Sequence, residues 1–352
     1  MREGSYSWST QSHTAFDTTI VLIDTDEGIT GVGECCPLGP TYLPAYAHGV
    51  RAGISQLAPH LMGHDPTHLD HINGVMDTQL KGHPYVKSAI DMACWDLLGK
   101  AAGLPLYILL GGKLQKEVTL YKVVTRADPA AMAERIPEYR DQGFRQFQVK
   151  VGEDPATDII RIHRVAQEME AGEVLNADAN TGWTQHEAAR VAEGVKDLDV
   201  YLEQPCLTYK ECLSIRRRTA LPFVMDENID GLPILLQAHN DDAMDVVNIK
   251  ISKFGGLTKA KQARDLCVDL GIAVTVEDSW GGDLVTAAIA HLAQGVPTEL
   301  LFTSTDFNSY VTVSAADGSP QRERGRMSAS GKPGLGVTLK EGVIGDPVLE
   351  IT

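Results

Sequence analysis

Three acidic residues, Asp178, Glu203 and Asp226, each come directly after a short apolar run. They lie 25 and 23 residues apart, about the length of one strand-helix unit in a barrel of repeating β/α pairs. Because neighbouring strands lie roughly 4.8 Å apart, three carboxylates at their carboxyl ends can bind one hard cation through oxygen. The spacing therefore predicts a magnesium site. The alternative is that each acid only caps the helix that follows its strand.

Two lysines, Lys150 and Lys250, lie on the predicted strands to either side of the three acid-bearing strands. A carbon acid bound between them would have one amine over each face, which suits removal and delivery of an α-proton. A carboxylate chelated to Mg²⁺ can accept electron density as this proton leaves, which gives an enediolate. Desolvation, the ion and a second ammonium all favour the neutral amine that a base requires. The alternative is that both lysines simply neutralise the carboxylates.

Strand alternation adds polar residues to this candidate site. Gln148 and Asn248 each lie two residues before one of the lysines, so we expect both to face the barrel interior. Ser252 is predicted to share that face, whereas Lys253 has the opposite parity. We take Gln148, Asn180 and Asn248 as candidate substrate-binding residues.

Composition limits the class of protein. The chain has 352 residues, of which 43% are hydrophobic, so it can bury a sizeable core. A formal charge of -16 disfavours nucleic acid and anionic membrane as partners. No apolar run of about 18 residues occurs and the first residues lack a secretory apolar region, so we expect a cytoplasmic protein. The cysteines form no Cys-x-x-Cys pair, which argues against structural zinc or a disulfide framework.

The order of predicted elements indicates an α/β protein with a small α+β capping domain followed by a TIM-like barrel of seven or eight β/α units. Residues 16–34 are predicted as a hairpin and residues 83–103 as a helix that a Gly-Leu-Pro break ends. Helices then alternate with eight extended runs, at residues 118–124, 146–151, 174–177, 200–202, 223–225, 246–251, 273–276 and 299–302. This pattern predicts a parallel barrel with its active site at the carboxyl ends of the strands. We divide the chain into a capping domain (1–112), a barrel (113–307) and a C-terminal segment (308–352) that returns to the capping domain.

The chain resembles the enolase superfamily in its muconate-lactonizing and mandelate-racemase-like branches. Members of these branches have acids after the third, fourth and fifth barrel strands and base residues on the second and sixth. The local matches are AIDMACWDLLGK at 89–100, Glu-Gln-Pro at 203–205 and Gly-Gly at 255–256. The resemblance covers nearly the whole chain.

By this resemblance, Asp178, Glu203 and Asp226 bind magnesium, one ion per subunit, and Lys150 and Lys250 form the acid/base pair. It also implies a small-molecule carboxylate substrate and a closed homo-oligomer.

Two departures from the family pattern stand out. The first lysine of the usual Lys-x-Lys strand is Gln148 here, which removes one charge near the substrate. Family members usually begin with a strand of about a dozen residues, whereas Met1 leads almost directly into residues 4–12. If the start is truncated, we expect the capping domain to lack an edge strand.

Further segments resemble the subgroup that acts on proline derivatives, which includes cis-3-hydroxy-L-proline dehydratases and hydroxyproline betaine epimerases. These segments are residues 36–46, 82–85, 277–283 and 304–308. The additional candidate substrate-binding residues are Asp278, Trp280, Asp306, Tyr42 and Tyr85. Carboxylates and the Trp280 face would suit a cationic imino acid. The alternatives are that Trp280 is a packing residue, that Asp283 caps a helix and that the tyrosines are contacts between domains.

The expected reaction is dehydration of cis-3-hydroxy-L-proline to Δ1-pyrroline-2-carboxylate. Epimerisation of a proline derivative or a proline betaine uses the same residues and remains open, because only the leaving group differs. A barrel kept for binding without catalysis is the third possibility, and the intact set of three acids and two lysines argues against it.

Overall fold

The computed structural model describes residues 1–9 and 11–352. Strands and helices of the first region are β1 (Tyr6–Trp8), β2 (Gln11–His13), β3 (Thr19–Asp24), β4 (Thr30–Cys35), α1 (Ala47–Leu57), α2 (Leu69–Gln79), α3 (Pro84–Ala102) and α4 (Leu106–Leu109). The predicted hairpin is confirmed, because β3 pairs antiparallel with β4. Helix α3 packs so closely on β4 that a Cβ on Gly33 would lie 2.0 Å from the Ala89 carbonyl oxygen. Glycine is therefore required at this strand position.

A short strand, β5 (Val118–Thr119), precedes the barrel. The barrel strands are β6 (Tyr121–Val124), β7 (Gln146–Lys150), β8 (Val174–Asp178), β9 (Tyr201–Glu203), β10 (Phe223–Met225), β11 (Val246–Lys250), β12 (Ala273–Glu277) and β13 (Leu301–Ser304). They form one parallel sheet in which each strand pairs with the next in sequence. A parallel bridge between Leu120 and Ser304 joins its two ends. The predicted parallel barrel is thus confirmed.

Helices cover the outside of this sheet. They are α5 (Pro129–Asp141), α6 (Pro155–Glu168), α7 (Gln185–Gly194), α8 (Tyr209–Arg216), α9 (Leu232–Asn240), α11 (Leu257–Leu270) and α12 (Asp283–Ala293). A further helical turn, α10 (Ile251–Phe254), lies at the carboxyl end of β11. Side chains of Thr184 and Thr208 cap α7 and α8, each in a capping box with the glutamate three residues later. Within the described residues, no helix has the length and apolar character needed to cross a membrane.

Most predicted strand boundaries shift by one or two residues, and two of these differences have a visible cause. The last strand begins at Leu301 rather than near residue 299, because the amides of Leu300 and Leu301 both bond to the Pro297 carbonyl and continue a turn. Strand β11 ends at Lys250, and one helical turn, α10, follows it up to Gly255 at φ 99°. Strand alternation therefore stops at Lys250, and the predicted facing of Ser252 and Lys253 is wrong.

Carboxylates from the first region hold it on the barrel. Glu34 of β4 accepts hydrogen bonds from the amides of Gly282 (2.8 Å) and Val285 (3.1 Å) at the start of α12. Asp91 of α3 accepts from the Thr258 amide (3.0 Å) and hydroxyl (2.6 Å) at the start of α11. Neither barrel helix has a side-chain cap of its own. These two carboxylates therefore supply the missing caps and fix the first region across the strand ends.

The C-terminal segment contains three short strands, β14 (Ala316–Asp317), β15 (Arg326–Met327) and β16 (Thr338–Leu339). Strand β15 pairs with β5, and the amide of Leu106 in α4 bonds to the Gly334 carbonyl at 3.0 Å. The Leu335 amide donates to Asp96 of α3 at 2.8 Å. The segment thus contacts helices of the first region, while the domain boundaries at 112 and 307 stay a prediction.

Candidate active site

Strand register aligns the predicted residues at one end of the barrel. Lys150 of β7 pairs with Asp178 of β8, which pairs with Glu203 of β9. On the other side of the barrel, Lys250 of β11 pairs with Glu277 of β12. Because parallel strands end together, these five side chains form a ring at the carboxyl end of the sheet.

One lysine is held by the first acid. Lys150 Nζ lies 2.5 Å from Asp178 Oδ2, and both side chains are buried. The backbone amide of Asn180 donates a hydrogen bond of 2.8 Å to the other oxygen, Asp178 Oδ1. Burial acts to lower the pKa of Lys150, but Asp178, Tyr6 and Glu203 outweigh it and raise the pKa above its ordinary value. The neighbouring Asp178 carboxylate therefore favours the ammonium form of Lys150.

The second lysine lies against the third acid. Lys250 Nζ is 2.5 Å from Asp226 Oδ2, and it also contacts the Tyr42 hydroxyl. Tyr42 donates to the same Asp226 oxygen at 3.0 Å, while Glu277 Oε1 lies 3.6 Å from the amine. Burial acts to lower the pKa of Lys250, but Asp226 and Glu277 raise it well above the ordinary value. The two lysines thus have similar surroundings on opposite walls of the barrel.

Side-chain amides surround the second acid. Glu203 accepts hydrogen bonds from Gln148 Nε2 at 3.0 Å and from Asn248 Nδ2 at 2.6 Å, and the Asn176 amide also donates to it. Burial, followed by repulsion from the other two acids, raises the pKa of Glu203 well above its usual range. Gln148 and Asn248 therefore face the interior as predicted, and both bind Glu203.

Lys253 is a buried site residue that strand alternation missed. Its Nζ lies 2.9 Å from Asp226 Oδ1 and 2.5 Å from the Asp226 carbonyl oxygen. The helical turn after β11 brings it there, and the Gly255-Gly256 pair was the available signal for such a turn. Burial would raise the pKa of Asp226, but Lys250 and Lys253 hold it well below the ordinary value. Ser252, expected at this face, instead donates its amide and hydroxyl to Asp278.

The residues around the acids fit a magnesium ion by their chemistry. Among the described residues, no three histidine, cysteine or acidic side chains are gathered closely enough to hold a metal in this conformation, since amines and amides engage each acid. Next to the acids, however, Asn180 Oδ1 and Glu227 Oε2 are buried without a hydrogen-bond partner. Burial and Asp226 raise the pKa of Glu227 to about 8. A buried set of oxygen donors with unsatisfied neighbours is suited to Mg²⁺ or its waters.

One buried cavity joins most of the predicted residues. Its lining includes Tyr42, Gln148, Lys150, Asp178, Asn180, Glu203, Lys250 and Asp278 from the sequence-based set. Tyr6 and Trp8, which the sequence allowed either as a cover of the pocket or as contacts between domains, also line it. The lining residues that the sequence did not assign are Leu38, Tyr121, Glu277, Ser279 and Phe307. Glu277 ends β12 in register with Lys250, so the strand-end reasoning that found the lysines applies to it as well.

Four predicted substrate-binding residues do not line the cavity: Asn248, which binds Glu203, and Trp280, Tyr85 and Asp306. Trp280 is buried in an aromatic cluster, with ring centroids 4.8 Å from Tyr6 and 4.9 Å from Phe307. This placement favours the packing alternative for Trp280. Tyr85 donates to or accepts from Ser279 at 2.5 Å, and Asp306 is buried 3.6 Å from an arginine of the C-terminal segment. Trp280 and Tyr85 therefore support lining residues, and Asp306 does not line the cavity.

Asp278 lines the cavity, but its carboxylate oxygens accept hydrogen bonds from backbone amides of neighbouring segments. Its carboxylate accepts from the amides of Ser252 at 3.1 Å and Ser279 at 2.7 Å. Burial raises its pKa to about 7. Asp278 therefore fixes the turn after β12. Asp283, for which we weighed a capping role, accepts from Ala316 in the C-terminal segment at 3.1 Å.

Sequence comparison identifies the family. Residues 5–111 match the mandelate racemase / muconate lactonizing enzyme N-terminal domain, and residues 131–343 match the enolase C-terminal domain-like family. The chain therefore belongs to the mandelate racemase / muconate lactonizing enzyme group of the enolase superfamily. It is 58% identical to a cis-3-hydroxy-L-proline dehydratase from Roseibium aggregatum, over 99% of this chain and 95% of that protein. An N-succinyl-L-Arg/Lys racemase from Bacillus cereus is 28% identical, over 97% of this chain and 92% of the other.

Solved structures agree with this assignment. A mandelate racemase/muconate lactonizing enzyme from Roseovarius nubinhibens superposes with a TM-score of 0.96 at 41% identity, over 99% of this chain and 94% of that one. A second protein of this type from the same organism, complexed with magnesium, gives a TM-score of 0.95 at 37% identity, over 98% and 95% of the two chains. The capped barrel architecture is thus shared along nearly the full length.

Proposed function

We propose that this chain is a Mg²⁺-dependent dehydratase that converts cis-3-hydroxy-L-proline to Δ1-pyrroline-2-carboxylate. The observation that carries the proposal is the placement of Lys150 and Lys250 on opposite walls of one buried cavity, four strands apart in an eight-stranded barrel. The side chains of Asp178 and Glu203 line the same cavity as the two lysines. The 58% identity to a cis-3-hydroxy-L-proline dehydratase supports the choice of substrate.

The residues that would hold the ion are Asp178, Glu203 and Asp226, with Asn180 and Glu227 beside them. When bound, the ion would draw electron density from the substrate carboxylate as the α-proton leaves. One Mg²⁺ per chain is the expected content. Magnesium in a structural neighbour supports this choice of metal.

The lysines carry the proton chemistry. One amine, neutral when it acts, takes the α-proton, so the C2–H electron pair becomes the C2–C3 double bond as the C3–O bond breaks. In cis-3-hydroxy-L-proline the C2–H and C3–O bonds lie on opposite ring faces. The lysine on the opposite wall, as an ammonium, therefore donates a proton to the departing hydroxyl, and water leaves. The enamine that forms tautomerises to Δ1-pyrroline-2-carboxylate. Rings of Tyr6, Trp8, Tyr42 and Phe307 enclose the reacting ring and limit access of bulk water.

Epimerisation is a second candidate, and one observation favours it. Amines on opposite walls could take a proton from one face of the α-carbon and return one to the other. The similarity to a racemase supports this possibility, although at 28% identity it is more distant than the dehydratase.

The test is incubation of the full chain with Mg²⁺ in D₂O, followed by NMR. The substrates are cis-3-hydroxy-L-proline, trans-3-hydroxy-L-proline, L-proline and a proline betaine. We expect loss of the C3 hydroxyl from the cis-3-hydroxy compound and no reaction after chelation of the metal. If the α-carbon gains deuterium with inversion and no water is lost, the function is epimerisation and not dehydration. No exchange in any of the four would refute both.

We also propose a cytoplasmic location and a closed homo-oligomer, each as an expectation from composition or family resemblance. Light scattering after size-exclusion chromatography measures the second, and a monomer at all concentrations would contradict it.

A further inference from the structure

Glu277 is a carboxylate at the cavity to which neither the metal site nor the proton chemistry gives a role. Four acidic side chains and two lysines line the cavity, so its wall carries more acids than amines. Asp178 is paired with Lys150, amides surround Glu203, and Asp278 binds the loop after β12. Glu277 differs from these three, because neither a close lysine nor the loop backbone engages both of its oxygens.

The two oxygens of Glu277 have different surroundings. Oε2 accepts a hydrogen bond of 2.6 Å from the Tyr121 hydroxyl. Oε1 lies 3.6 Å from Lys250 Nζ, which is longer than a direct hydrogen bond. That amine is itself 2.5 Å from Asp226. Glu277 therefore has one oxygen fixed by a neutral donor and a second that retains capacity for a cationic donor.

The position of Glu277 is rigid. It is the last residue of β12, it is in register with Lys250, and both Glu277 and Tyr121 are buried. Tyr121 belongs to β6, across β13 from β12, so the hydrogen bond joins two walls of the barrel. A carboxylate held on strands rather than on a loop is suited to orienting a ligand.

We infer that Glu277, held in place by Tyr121, binds the cationic ring nitrogen of the substrate and selects secondary ammonium compounds over neutral rings. The inference rests on the proposed function, since it assumes that a proline derivative occupies the cavity. A charge-assisted hydrogen bond from the ring NH₂⁺ to Oε1 would use the acceptor that the protein leaves open. This role replaces the one that the sequence suggested for Asp278 and the Trp280 face.

The test compares two ligands that differ at the ring atom. L-proline carries a ring NH₂⁺, whereas (S)-tetrahydrofuran-2-carboxylate carries a neutral oxygen and keeps the carboxylate. Binding of each is measured by calorimetry in the presence of Mg²⁺, with wild-type protein and Glu277→Gln. We expect the wild type to prefer L-proline, and the variant to bind L-proline roughly 10- to 100-fold more weakly. Affinity for the oxygen analogue should change by less than about threefold.

Tyr121→Phe is the second variant, and it keeps the Glu277 charge. This substitution should weaken the binding of L-proline by a few-fold and leave the affinity for the oxygen analogue unchanged. This variant also keeps the inference testable if Glu277→Gln does not fold. The inference would be overturned if either variant lost affinity for both ligands equally. It would also be overturned if the wild-type protein showed no preference for L-proline.

The result separates two kinds of failure. If wild-type protein dehydrates cis-3-hydroxy-L-proline but Glu277→Gln weakens both ligands alike, the dehydratase proposal survives and the role of Glu277 does not. If the variant loses only the preference for L-proline while the hydroxylated compound is not consumed, Glu277 selects the ammonium in a protein with another reaction.

Discussion

The strand ends of the barrel and the segments that cross them build the same cavity in different ways. Register along β7, β8 and β9 fixes Lys150, Asp178 and Glu203 at one level. Tyr6 and Tyr42, in contrast, come from the first region, which carboxylate caps hold on the barrel. Local strand geometry thus sets the chemistry of the site, and tertiary packing sets its shape. Substitutions at strand ends should therefore affect turnover most.

The largest effect is expected for Lys250→Ala. Loss of an acid/base group should lower kcat by about 100- to 10,000-fold, because proton transfer contributes that much in enzymes. Affinity for Mg²⁺ should stay within a few-fold, since we expect Lys250 to leave Asp226 when the ion binds. Steady-state kinetics and Mg²⁺ titration measure the two effects. Lys196→Ala is the matched control, because Lys196 is exposed and paired with Glu193, away from the cavity. Near-normal kcat for Lys250→Ala would refute its role.

Glu203→Gln should act mainly on the metal. Removal of one carboxylate ligand is expected to raise the Mg²⁺ concentration needed for half-maximal activity by about 100-fold. Because burial already disfavours the charged form of Glu203, the ion-free variant should be at least as stable as the wild type. Denaturant unfolding without Mg²⁺ checks the second point. An unchanged Mg²⁺ requirement would exclude Glu203 as a ligand.

Lys253→Met tests a residue that follows a strand rather than ending one. Lys253 orients Asp226 through both the carboxylate and the carbonyl oxygen. We expect roughly tenfold weaker Mg²⁺ binding, in the range found for partners of metal ligands. Lys259→Met provides a control, since Lys259 pairs with Asp77 and is about a third exposed. Equal Mg²⁺ affinity in the two variants would reduce Lys253 to a packing residue.

The smallest effect on turnover is expected at the junction of α12 with the tail. His291 is buried, accepts from the Tyr107 amide at 3.1 Å and is 3.0 Å from the Leu335 carbonyl oxygen. Burial lowers its pKa from 6.5 to about 4. As the pH falls, His291 is therefore protonated in the unfolded chain before it is protonated in the folded one. The stability that comes from neutral His291 is complete above pH 6.5 and is lost as the pH falls toward 4.

The shift at His291 corresponds to about 3 kcal/mol. Denaturant unfolding from pH 7 to pH 4 should show a smaller loss of stability for His291→Gln than for the wild type. Identical pH profiles would contradict the neutral, buried state of His291. Activity at neutral pH should be nearly equal in the two proteins.

Sequence predicted the parts of the site that depend on strand periodicity. The eight barrel strands and the levels of Asp178, Glu203 and Lys150 follow from alternation and spacing, and the structure places them accordingly. Lys253 was missed because a helical turn interrupts the alternation after Lys250.

Segments between elements were harder to predict. Trp280 follows a strand, yet its ring turns into an aromatic cluster with residues far away in sequence. Asp278 satisfies loop amides that only the folded turn brings to it. Such placements depend on tertiary contacts, which short-range patterns do not encode.

A crystal structure with Mg²⁺ tests the central claim most directly. The prediction is one ion bound by the carboxylates of Asp178, Glu203 and Asp226, with Lys150 and Lys250 released from direct pairing with these acids. An ion bound elsewhere, or three acids still held by the lysines and amides at saturating Mg²⁺, would contradict the account.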